Sequence, residues 1–193
     1  MTLTKKMTIH GLAAIALISA GSTHASAQSM HTMPHDAATT TTTDPGALIK
    51  IVRQATERFK NVNQAIAEGY VLQFGCVSGD YSAAMGMHYV NGDLINKGIL
   101  DPTKPQIIIY EPQPDGTLQL IGADFLVLAA QWNTNHTSPP ELMGQFFHLF
   151  DAPNRFGLPP FYTLHVWAWK DNPNGAFVNW HPNVSCQSFA GSN

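Results

Sequence analysis

The spacing of apolar and polar positions changes once along this chain. Between Asp44 and Gly69, the residues Leu48, Ile51, Val52, Ala55, Phe59, Val62 and Ile66 recur at helical intervals and form one apolar stripe. Arg53, Glu57, Lys60 and Gln64 fall off that stripe and belong on a solvated face. Asp44 suits an N-cap, Pro45 the first helical position and Gly69 the residue beyond the last turn. The pattern predicts an amphipathic helix at the start of the folded region.

After Tyr70 the period shortens to that of strands. Runs rich in Ile, Val, Leu, Phe, Tyr and Trp cover 70–77, 84–90, 106–111, 118–131, 146–150, 162–169 and 176–180, the fourth of them bent or broken. Gly-, Pro-, Asn- and Asp-rich turns separate them, and Asp115-Gly116 between IIIYEP and TLQLIG is a hairpin signal. No long helical period recurs, which excludes a series of parallel βαβ units. The expected class is α+β: an N-terminal helix packed on an antiparallel sheet that is strongly curved or closed as a small barrel.

The N-terminal residues change the picture of where this domain works. Lys5 and Lys6 precede an uncharged apolar run from Met7 to Gly21, and Ala25-Ser26-Ala27 supplies small residues for cleavage. Residues 1–27 therefore read as a secretory signal, too short in its apolar part to cross a bilayer comfortably. Residues 28–43 read as a polar tail ending in AATTTTT, and 44–193 as one globular domain. Met30, His31, Met33 and His35 in that tail would suit copper, against the plainer reading of an unstructured linker. The expected address is periplasmic or secreted.

Charge and cysteine content narrow the partners. Once Lys5 and Lys6 are removed, eight basic residues stand against 13 acidic ones, with no basic cluster. Nucleic acid and anionic membrane surfaces both need such a cluster, so neither is expected as a partner. An even cysteine count in an exported chain points to a Cys76–Cys186 disulfide, although free thiols or a metal-binding pair have the same count.

Histidine carries the candidate chemistry. His88, His148 and His165 sit in strand-like runs, His181 follows another, and His136 lies in a loop. In YTLHVWAW, alternation places Thr163, His165, Trp167 and Trp169 on one face, opposite the apolar Tyr162, Leu164, Val166 and Ala168. In QIIIYE, Ile107, Ile109 and Glu111 share a face. Gly86 beside His88 leaves room for a ligand or a close backbone approach. His88, Glu111 and His165 are therefore the candidate ligands of a divalent transition metal (zinc, copper or iron), with His148 in reserve. Trp167, Trp169 and Tyr110 are the candidate pocket walls. Met85 and Met87 would add soft donors for copper(I). For each histidine alone, a hydrogen-bonded structural role is the plainer reading, and no HExxH, HxH or CxxC spacing is present. A glycosidase pair of Glu111 and Asp124 is a further option. No GxSxG elbow, phosphate loop or dinucleotide fingerprint occurs. Asn135 and Asn183 fit glycosylation sequons.

The run GLPPFYTLHVWAWKDNPNGAFVNWHPNVSC, with AMGMHYVN, IYEP and GADF upstream, resembles a family of small exported bacterial proteins of uncharacterised function. The resemblance implies export and a cysteine partner at the position of Cys186. It brings no activity. The chain departs from the family's WxPxVSC segment at His181, where Asn is expected, and His181 is not carried forward as a ligand. The expected function is an exported metal-binding protein, with or without catalysis on a small substrate. The alternative is a non-catalytic module that holds a small apolar or carbohydrate-like ligand.

Overall fold

The computed structural model describes residues 44–79 and 83–190. The expected signal sequence and the expected polar tail with its Met and His residues lie outside the described residues. The opening helix α1 spans Pro45–Thr56, and the Asp44 carboxylate accepts a hydrogen bond from the Gly46 N–H at 2.9 Å. Leu48 and Val52 are fully buried on its stripe, and Phe59 is buried in the turn that follows. The single helix expected to reach Gly69 is interrupted. A 3₁₀ turn at Glu57–Lys60 leads to an extended Asn61, whose side chain caps a second helix, α2 (Val62–Ala67). An Asn side chain that offers its own hydrogen bond to the backbone competes with helix continuation. Gly69, at φ +90°, ends α2 as expected.

Eight strands follow: β1 (Val71–Ser78), β2 (Ala84–Val90), β3 (Ile107–Pro112), β4 (Leu118–Leu128), β5 (Glu141–Leu142), β6 (Gln145–Phe146), β7 (His148–Phe150) and β8 (Phe161–Val166). A six-stranded antiparallel sheet runs β1-β2-β3-β4-β8-β7, while β5 and β6 form a separate small hairpin. The sheet is curved and open, with β1 and β7 at its edges. Asp115-Gly116 lies in the β3–β4 hairpin, with Gly116 at φ +82°. Two short helices, α3 (Gly92–Lys97) and α4 (Ala129–Asn133), were not expected from the pattern. Asn91 caps α3 by accepting from the Leu94 N–H at 3.1 Å, so what reads as a turn signal is a helix start. The expected strand at 176–180 is absent: Ala176 and Val178 use their carbonyls on the Trp167 backbone and indole N–H groups.

Both faces of the sheet are buried. One packs under the helices, through Ile108, Tyr110, Phe125, Leu164 and Val166 with Leu48, Val52 and Phe59. The other carries Ile107, Ile109, Ile121, Leu126, Phe161 and Trp167. A disulfide joins Cys76 on β1 to Cys186, with Cα atoms 5.6 Å apart and 110 residues between them in sequence. Closing so long a loop is worth roughly 4–5 kcal/mol in the chain-entropy account. Among the described residues, no helix is long and apolar enough to cross a membrane.

Candidate metal centre

Alternation along β4 and β8 puts Asp124, Thr163 and His165 on the face away from the helices. In LQLIGADFLVL, Ala123, Phe125 and Val127 point into the helix-side core, so Asp124 points the other way. Asp124 pairs directly with His165 across β4 and β8. His88 arrives from β2, three strands from β8. On a flat sheet those strands would stand about 14 Å apart. The His88 and His165 rings are nevertheless only 5.7 Å apart between centroids. Sheet curvature closes that gap. His88, Asp124 and His165 each offer a donor atom, and these atoms lie within 4.8 Å of one another, all three residues being buried.

The hydrogen bonds around this group leave donor atoms free. His88 Nδ1 lies 3.1 Å from the Gly86 carbonyl. That contact suits an Nδ1–H tautomer and leaves the Nε2 lone pair available. The Thr163 hydroxyl donates to Asp124 Oδ1 at 2.6 Å. His165 Nδ1 is 3.7 Å from Asp124 Oδ1, beyond hydrogen-bonding range. Neither buried ring nitrogen of His165 makes a well-formed hydrogen bond; its one side-chain hydrogen-bonding neighbour is Asn179, whose Oδ1 is itself without a well-formed bond. Burial holds the imidazoles neutral, pushing His88 down to about 4 and His165 to about 3. Burial also raises Asp124 to about 6, against the Thr163 hydrogen bond that favours its charged form. Neutral imidazoles are the form that binds metals.

Above the three residues lies a cavity of about 40 Å³ walled by Phe74, Phe150, Phe156 and Phe161, with Leu126 and Leu158. Phe74 reaches it by way of a bulge. Gln73 pairs with His88 and Cys76 with Met87, so Phe74 and Gly75 are extra residues opposite β2. Both take left-handed backbone angles, φ 60° and 62°. A non-glycine residue there is strained and is found where a side chain must be re-aimed.

Glu111 is not part of this centre. It shares the expected face of β3, but Asp124 pairs with Ile107, four residues away from Glu111. Its carboxylate accepts instead from Lys170 Nζ at 2.6 Å and from the Ser185 N–H at 2.9 Å. Glu111 and Asp124 lie on the two strands of one hairpin, yet their offset rows do not form a pair of facing carboxylates. Asp124 carried a readable signal, being the one charged residue in a long apolar strand and lying within GADF.

The expected pocket walls are also revised. Tyr110 lies in the helix-side core and donates to the Phe59 carbonyl at 2.7 Å. Trp169 faces the helices, donating from Nε1 to the Thr56 hydroxyl at 2.9 Å. The alternation that placed it beside His165 fails because β8 ends at Val166, where the Ala168 N–H turns back onto the Val166 carbonyl at 2.8 Å. Trp167 keeps the expected face, 5.9 Å from the His165 ring, but packs beside the cavity rather than lining it. His148 stands exposed on β7 opposite Thr163, near enough to act electrostatically on Asp124 and His165 but outside the three-donor group. His136 stacks on Trp132 at 3.7 Å, and buried His181 meets Trp167 edge-on at 4.9 Å. Met85 lines the cavity whereas Met87 faces the helices, an exchange of faces across Gly86 at φ +88°.

No family model, curated protein or solved structure matches the chain.

Proposed function

We propose that this is an exported metal-binding protein whose His88, Asp124 and His165 hold one divalent transition ion and present it to a small molecule. The observation that carries the reading is the convergence of three buried donors, among them His165, an imidazole whose two nitrogens have between them only Asn179 as a side-chain hydrogen-bonding neighbour. Each buried, unpartnered polar group costs about 1–3 kcal/mol, and a metal bond removes that cost for one of the nitrogens. Two imidazoles and one carboxylate suit zinc or iron, and tolerate copper(II). Ligand bonds of about 2.0–2.2 Å require the donors to draw closer on binding. An ion held this way keeps open positions, at which it would polarise a ligand or activate water. The disulfide suits an oxidising compartment and supports export. The cavity favours the metal reading over a carbohydrate module, because its inner space is about 40 Å³ and its walls beyond the three donors and Thr163 are apolar, with few groups to pair a sugar's hydroxyls.

The test is elemental analysis of the mature protein beside His165→Ala and Asp124→Asn. Wild type is expected to hold stoichiometric metal and both variants to lose most of it, with far-ultraviolet circular dichroism unchanged. Equal metal content in all three proteins would remove the centre.

A further inference from the structure

The surroundings of the three donors restrict what a bound ion could meet. The cavity of about 40 Å³ compares with about 10–15 Å³ for a single water on the same measure. Its inner space has room for a ligand of two or three heavy atoms, with an opening to solvent at the rim where Phe74 stands. Beyond the three donors and Thr163 its walls are phenyl and aliphatic groups, and among the described residues no Lys or Arg lines it. The Thr163 hydroxyl is already committed to Asp124 at 2.6 Å. A substrate with several polar groups would find nothing to bind them, and unpaired polar groups in such a space are costly.

Charge adds a second restriction. A divalent ion with two neutral imidazoles and one carboxylate keeps a net charge of about +1 inside an apolar box. One negative charge on the incoming ligand cancels it. A dianion would overshoot, and a neutral molecule would leave the charge uncompensated.

We propose that the substrate class of this centre is a small monoanion of two or three heavy atoms, bound directly to the ion, with the phenyl wall setting the size limit. This rests on the metal-binding reading above. Phe74 is the residue that sets the rim. It is 48% exposed, its ring lies 5.3 Å from that of Phe156, and the bulge places it over the cavity.

Cobalt(II)-loaded mature protein provides the test, because its visible bands report both the ion and its ligands. Azide is the small monoanion and benzoate the bulky one. Azide is expected to shift the bands saturably, whereas benzoate at the same concentration leaves them unchanged. In Phe74→Ala, benzoate is expected to bind at least tenfold more tightly than in wild type. Cobalt bands that ignore azide, or that respond equally to both anions in wild type, overturn the proposal and leave metal binding intact. Failure to develop cobalt bands at all overturns the metal reading beneath it. The azide titration uses wild type alone, so it does not depend on the folding of the variant.

Discussion

Two acidic residues on one hairpin show how a side chain's partners decide its use. Glu111 is held by an ammonium group and a backbone N–H, so its charge is satisfied by structure. Asp124 has a hydroxyl donor and two imidazole neighbours, and burial makes its charge costly. Glu111→Gln is therefore expected to retain full metal content while losing roughly 1–3 kcal/mol of stability, the cost of leaving Lys170 without its partner. Urea unfolding and elemental analysis of the same sample check both halves. Loss of metal without loss of stability would return Glu111 to the centre. Alternation in the sequence places both acids on the correct face but is silent on which row each occupies. That row is set by the β3–β4 and β4–β8 pairings, including an irregularity between Ile109 and Tyr110.

At the level of elements, the sheet brings backbone very close to backbone near the site. A Cβ added at Gly86 would stand 2.6 Å from the Tyr110 carbonyl oxygen, on a residue whose φ is +88°. Gly86→Ala must therefore push β2 off β3 as well as adopt an unfavourable φ. It is expected to cost about 2–4 kcal/mol and to weaken metal binding by displacing His88, whose Nδ1 contacts the Gly86 carbonyl. Chemical denaturation and metal titration of this variant measure the two effects, and a wild-type value in both would contradict the close approach. Caps, hairpin turn and strand alternation were legible because each depends on neighbours in sequence. The bulge at Phe74–Gly75 and the early end of β8 were not, because the first is defined against β2 and the second is held by Trp167 and Trp169 N–H bonds to Ala176 and Ile121; the break at Asn61 is a local cap hidden inside an unbroken apolar stripe. Trp169 lost its expected place for that reason.

Across the whole molecule, the buried imidazoles couple stability to pH. Folded His88 and His165 have values near 4 and 3 against 6.5 for an ordinary histidine, because burial penalises their charged forms. Below pH 6.5 the unfolded chain takes up protons on both rings that the folded chain refuses, so stability falls as pH drops from 6.5 towards 4. Asp124 opposes this between about 6 and 3.8, where the folded chain holds the extra proton. Two imidazoles outweigh one carboxyl, and the net change is a loss. The urea midpoint of metal-free protein is expected to decline from pH 7 to pH 5, and His165→Gln to flatten that decline. An identical slope in both proteins would refute the coupling.

The strand order carries a consequence for assembly. β8 slots between β4 and β7 although β7 precedes it in the chain, so His165 reaches Asp124 only after the polypeptide has doubled back past its own edge. A chain truncated before β8 would carry His88 and Asp124 without the third donor of the group. On the metal-binding reading proposed above, ion capture would report that the last strand has come home.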